Sequence, residues 1–165
     1  MLADGARHQL DPRFIRVERI VGYLTTATLS IAGFVALALV AVFAPIQVVW
    51  LAVFAAAWLV MTIAFAWLAH RWPELEFRHA AYSVDIQVLE IRGGVLWRHV
   101  RKVPRSRVQH TDVAQSPLER RYGLATLVIH TAGTEHARVT LGGLAHQTAL
   151  DIREHLLPRE HLDAG

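Results

Sequence analysis

Ten histidines, at positions 8, 70, 79, 99, 110, 130, 136, 146, 155 and 161, hold most of the chain's capacity for metal or acid–base chemistry. No two stand at the i, i+4 spacing that aims a pair of imidazoles at one zinc ion from a helix face. No metal site is therefore expected. A hydrolase would need Ser106 or Ser116 as nucleophile, and neither lies in a nucleophile-elbow sequence. Cysteine is absent, which removes disulfides, thiolate metal sites and cysteine nucleophiles together. The pairs Gly93-Gly94 and Gly142-Gly143 are too short to cradle a phosphate and suit a turn and a helix entry. Neither a catalytic residue nor a cofactor is expected.

Positive charge is the other chemistry on offer. Arg92, Arg98, Arg101, Lys102, Arg105 and Arg107 lie between Ile91 and Val108 without an acidic residue among them. Arg120 and Arg121 follow in SPLERRYGL, beside Glu119. These eight residues are the candidate lipid or partner contacts. A basic side chain close to an anionic leaflet contributes about 1 kcal/mol. Successive strand residues point to opposite faces, however, so the first six cannot all share one surface, which favours a solvated strand face. SPLERRYGL suits a turn, with Pro117 fixing the entry, Gly123 permitting an unusual backbone angle and the charges pairing locally. The net charge of +3 is too small to imply nucleic acid.

Two uncharged runs must carry these residues to a membrane. Ile20–Ala44 reads IVGYLTTATLSIAGFVALALVAVFA, and Val48–Ala69 reads VVWLAVFAAAWLVMTIAFAWLA. Each exceeds the roughly 20 apolar residues that cross a hydrocarbon core. The connection APIQ allows only a tight hairpin. Arg7, Arg13, Arg16 and Arg19 precede the pair, Arg71 and Arg78 follow it, and the tip carries no charge. Positive flanks stay in the cytoplasm, so both termini are expected there. Trp67, Trp72 and Tyr23 suit the inner interface, and Trp50 the outer. The spans contain no ionisable residue, so a proton or ion relay has nothing to stand on. Thr25, Thr26, Thr28 and Ser30 are expected to bond their own helix or pack the two helices together.

From Pro73 onwards the chain is nearly neutral, with twelve basic and eleven acidic residues. Strand-like pieces at 75–84, 87–92, 95–103, 107–114, 124–131 and 136–141 are separated by turn residues, with Gly93-Gly94 as a hairpin signal. In LAHQTALDIREHLL, Leu144, Thr148, Ile152 and Leu156 share a helical face, and Pro158 closes the helix. The segments are a cytoplasmic arm (1–19), a hairpin (20–69), a β-rich domain (73–158) and a tail (159–165).

The stretches Trp72-Pro73, Tyr82–Val84, IRGGVLWR at Ile91–Arg98, VPRSRVQHTDV at Val103–Val113 and SPLERRYGLATLVIHTAG at Ser116–Gly133 closely resemble the YdbS-like bacterial membrane proteins. The resemblance spans almost the whole chain. Its central motif is usually closer to P-x-x-R-I-Q, and here Val108 takes the isoleucine position. It implies a bacterial pleckstrin-homology-like (PH-like) domain. The expected fold is a transmembrane helical hairpin plus an α+β, mainly β, PH-like barrel of about seven strands capped by a C-terminal helix. The family implies no agreed reaction, and such domains elsewhere bind phosphoinositides or proteins.

The expected protein is a non-enzymatic binding or scaffold protein of the bacterial inner membrane. Its partners would be the lipid bilayer and another membrane protein or a second copy of itself, and not nucleic acid. Direct recognition of anionic head groups and service as an accessory subunit of a transporter are the alternatives.

Overall fold

The computed structural model describes residues 5–44, 47–132 and 138–156. Pro45 and Ile46 of the hairpin tip, most of the turn AGTE, Pro158 and the tail lie outside them. The chain forms two compact units, one of Glu18–Glu74 and one of the flanking chain on both sides.

The first unit is built from the greater part of two helices, α1 (Arg13–Phe43) and α2 (Val48–His79), whose charged ends belong to the other unit. Both outrun the uncharged spans at their charged ends. Asp11 starts α1 by accepting a hydrogen bond from the Arg13 N–H at 2.9 Å, with Pro12 between them. At the other end, 75–79 was expected as strand, but α2 runs on through Pro73 to His79. Proline removes the N–H that would reach the Ala69 carbonyl. In the same turn the Arg19 Nε donates to the His70 carbonyl at 3.0 Å, and the Arg19 guanidinium pairs with Glu74. The Tyr23 hydroxyl and His70 Nδ1 lie 2.8 Å apart, so polar groups from both helices interlock at this end.

Within the apolar part the helices approach where side chains vanish. A Cβ on Gly22 would stand 2.9 Å from that of Ala69, and one on Gly33 would overlap the Trp58 indole nitrogen. Thr25, Thr26 and Thr28 each bond the carbonyl four residues back, and Ser30 donates across to Thr62 at 3.3 Å. Their polarity is thus absorbed locally, as the sequence suggests. The outward side chains, among them Leu24, Ile31, Val42, Phe43, Val49 and Val60, are mostly exposed. Both helices are long and apolar enough to cross a membrane.

The second unit holds seven strands among the described residues. Sheet one has the order β1 (Arg7–Gln9), β2 (Ala81–Val84), β3 (Val88–Gly93), β4 (His99–Pro104). Sheet two has the order β5 (Val108–Ala114), β6 (Leu124–Thr131), β7 (Arg138–Ala145). All pairings are antiparallel. β1 comes from the expected cytoplasmic arm, where three residues pair Arg7 with Ser83 and Gln9 with Ala81. A domain beginning at Pro73 omits this strand.

No ladder closes the two sheets into one barrel among the described residues. The chain leaves β4 at Pro104, which has no N–H to donate, and turns through a single 3-10 turn at Arg105–Arg107. The Arg105 N–H bonds the Gln87 carbonyl at 2.8 Å, and the Ala132 N–H bonds the Arg107 carbonyl at 2.9 Å. β5 therefore starts in the second sheet.

Alternation in β2, β3, β6 and β7 sends Val84, Leu89, Leu127, Ile129 and Leu141 inward. Leu144 belongs to β7, not to the terminal helix, and α4 spans His146–Leu156. Its Ala149, Ile152 and Leu156 join the core. Each valine, leucine or isoleucine buried this fully stabilises the fold by about 1.5–3 kcal/mol.

Candidate functional site

The eight basic residues divide by local geometry. On β3, Arg92 and Glu90 are two apart and share a face, and the β3–β4 register sets Lys102 opposite Glu90. Glu90 accepts from the Arg92 Nε and lies 3.6 Å from the Lys102 ammonium. The hydrogen bond from Arg92, with charge from Arg92 and Lys102, holds its carboxyl below the usual 4.5. This face is mixed in sign.

Arg98 lies in the β3–β4 connection. The strand expected over 95–103 begins only at His99. Gly93 pairs with His99, and Gly94–Arg98 make a loop of five residues. Its tip presents Leu96 and Trp97 at 75% and 86% exposure, with Val100 also exposed at the start of β4. Scattered exposed apolar residues are ordinary, but an adjacent leucine and tryptophan at a hairpin tip form an uncovered patch.

Arg101 and Lys102 point to opposite faces of β4, as alternation requires. β4 is nevertheless an edge strand, so both flank the gap beside it. They line a cleft of about 230 Å³ with Arg107, Thr131, Val103 and Val139. Arg101 and Arg107, the two cations here not already paired with Glu90, supply forked donors that suit a carboxylate or phosphate group. Arg105 is directed elsewhere, lining a second depression with Ile86, Gln87 and Ser106.

Arg120 and Arg121 lie on α3 (Pro117–Tyr122), a helix where a turn was expected. Its start is a capping box: the Ser116 hydroxyl accepts the Glu119 N–H at 3.2 Å, and the Glu119 carboxylate accepts the Ser116 N–H at 2.7 Å. Glu119 also accepts the Thr126 hydroxyl at 2.8 Å, so it serves the cap and β6 instead of the neighbouring arginines. Burial raises the Glu119 pKa, yet the Ser116 and Thr126 hydrogen bonds outweigh it and leave the carboxyl below 4.5. Gly123 ends the helix at φ 69°, where any side chain would be strained.

Two features escaped the sequence. Leu96 and Trp97 looked like strand residues because IRGGVLW has the apolar density of one. His110, Asp112 and His130 meet on the outer face of β5 and β6. Helical spacing is blind to such a cluster, because its members are brought together by register between strands.

Comparison with known proteins fits this architecture. Residues 19–160 match the bacterial PH domain family. The transmembrane protein YdbS of Bacillus subtilis (strain 168) is 28% identical over 136 residues, covering 82% of this chain and 83% of that protein. No solved structure matches the chain. Two apolar helices joined to an antiparallel PH-like domain, with the match running through both, make this chain a membrane protein belonging to the bacterial PH domain family.

Proposed function

We propose that the chain is a non-enzymatic docking module of the bacterial inner membrane, with its PH-like domain in the cytoplasm holding a second membrane protein. The observation that carries the reading is the β3–β4 tip, where Leu96 and Trp97 stand exposed beside Arg98. Tryptophan and arginine are the residues that anchor protein interfaces most often. Glu90 neutralises part of the adjoining basic face, which suits a shaped partner surface better than a uniformly anionic plane. The partner is expected to offer an apolar pocket for Trp97 rimmed by carboxylates for Arg98 and Arg101. Support for both termini on one side comes from the β1–β2 ladder, which joins chain before the first span to chain after the second. Arginine flanks favour the cytoplasm as that side.

The test is a photoreactive side chain at position 97 of the full-length chain in native membranes. A discrete protein adduct that vanishes in Arg98→Glu/Arg101→Glu is expected. Adducts confined to lipid would replace this reading with head-group recognition by the same basic side chains. The absence of any adduct would end both.

A further inference from the structure

His110 and His130 are directly opposed in the β5–β6 ladder, and Asp112 lies two residues along β5 on the same outer face. The two imidazoles stack with ring centres 4.1 Å apart and planes 14° from parallel. The Asp112 Oδ2 lies 3.9 Å from the His110 Nε2 and 3.6 Å from the His130 Nε2. One donor atom from each of the three residues falls within 4.8 Å of the others. Around a tetrahedral zinc ion, with bonds of about 2.0–2.2 Å, neighbouring donors are separated by roughly 3.3–3.5 Å. The observed spacing is a few tenths of an ångström wider on the two histidine–aspartate edges. Each imidazole lone pair lies in its ring plane, so binding requires the two rings to tilt out of their stack toward a shared point, and the solvent-facing site leaves room for that rotation.

We propose that His110, Asp112 and His130 form a binding site for a divalent transition-metal ion of the zinc class, distinct from the Trp97 surface and independent of the docking reading. Two imidazoles and one carboxylate make a donor set suited to zinc and its late first-row neighbours and poor for magnesium or calcium, which take oxygen ligands. Three protein ligands leave a fourth position to water, since the face is open to solvent. Arg138 stands opposite His130 on β7, and its positive charge works against cation binding there. The ion would join the edge strand β5 to the central strand β6, two of the three strands that α4 packs against.

The experiment uses the full-length chain in detergent, without a histidine tag and stripped by chelator, titrated with zinc and separately with cobalt. One equivalent of zinc is expected, with cobalt giving the visible bands of a four-coordinate site. Amide exchange in β5 and β6 should slow about a hundredfold when free zinc is a hundred times its dissociation constant. His110→Ala and Asp112→Asn should each weaken binding at least about tenfold, while His99→Ala, on β4, should leave it unchanged. The side chains of His110 and Asp112 are exposed, so the variants remain folded, and exchange without metal checks this. Binding that survives His110→Ala, that is lost equally in His99→Ala, or that is missing altogether overturns the proposal.

Discussion

Replacing Gly143 by alanine separates two physical costs at one position in β7. Gly143 has a φ of 71°, and a left-handed residue bearing a Cβ loses about 1–2 kcal/mol. The added Cβ would lie 2.7 Å from Phe14 Cδ2, 3.0 Å from Phe14 Cγ and 3.2 Å from Leu10 Cδ1. Those atoms belong to a ring and a core leucine, and overpacking of this kind costs about 1–3 kcal/mol. The sum is about 2–5 kcal/mol. Amide exchange of β6 in the full-length protein is the assay, because that strand lies at the centre of its sheet. Exchange through global opening should accelerate about 30-fold to several-thousandfold. Gly142→Ala is the internal control, since its Cβ meets only the Thr126 hydroxyl, at 3.3 Å, and its φ is not positive. Phe14→Ala combined with Gly143→Ala should return the larger share of the overpacking, that against the ring, and keep the backbone part, a non-additivity the double-mutant cycle reads directly. Equal effects of Gly142→Ala and Gly143→Ala would refute the reasoning.

Thr111 is buried, and among the described residues its hydroxyl has no partner, so Thr111→Val should stabilise the protein by about 1 kcal/mol in denaturant titration. Glu119 has a folded pKa below 4.5, so its contribution is present above that value and is lost as pH falls through the folded pKa. Glu119→Gln should therefore lower stability at neutral pH and flatten its decline on acidification below about pH 4.5. Gly33 faces Trp58 with no room for a side chain, and the chain lacks cysteine, so Ser30→Cys/Thr62→Cys should form an interhelical disulfide that Gly33→Leu suppresses.

The charge-free hearts of both spans were legible because an unbroken uncharged run of more than about 20 residues matches the length that crosses a hydrocarbon core. Their ends were not. Arg13–Arg19 and Arg71–His79 carry charges and a proline, signals that normally stop a span, yet helix formation continues wherever capping and a cross-helix arginine satisfy the backbone. The strands Val88–Gly93, Val108–Ala114 and Leu124–Thr131 stood out by alternation and flanking turns. β1 could not, since Arg7-His8-Gln9 has no strand pattern and owes its conformation to the partner it pairs with. The candidate contacts show the same division. Residue types revealed the basic run, but only the turn after Pro104 decides that Arg101, Lys102 and Arg107 border one cleft while Arg105 leaves it. His110 and His130 are widely separated in sequence, and the bulge between Val108 and His110 shifts the register on which their meeting depends.

The placement of β1 also governs how the protein is made. Arg7–Gln9 leaves the ribosome well before Ala81–Val84, and the whole hydrophobic hairpin must be synthesised between them. The sheet can be finished only if the chain on either side of the hairpin ends up in the same compartment. A molecule that threads one span but not the other keeps β1 from its partner and leaves the β2 edge bare, ready for aggregation or proteolysis. Closure of this small strand pair is therefore open only to a molecule whose two flanks lie on one side. It also instructs the bench: a soluble fragment should carry residues 5–17 spliced ahead of residue 75, because cutting at Pro73 discards the first strand of the domain.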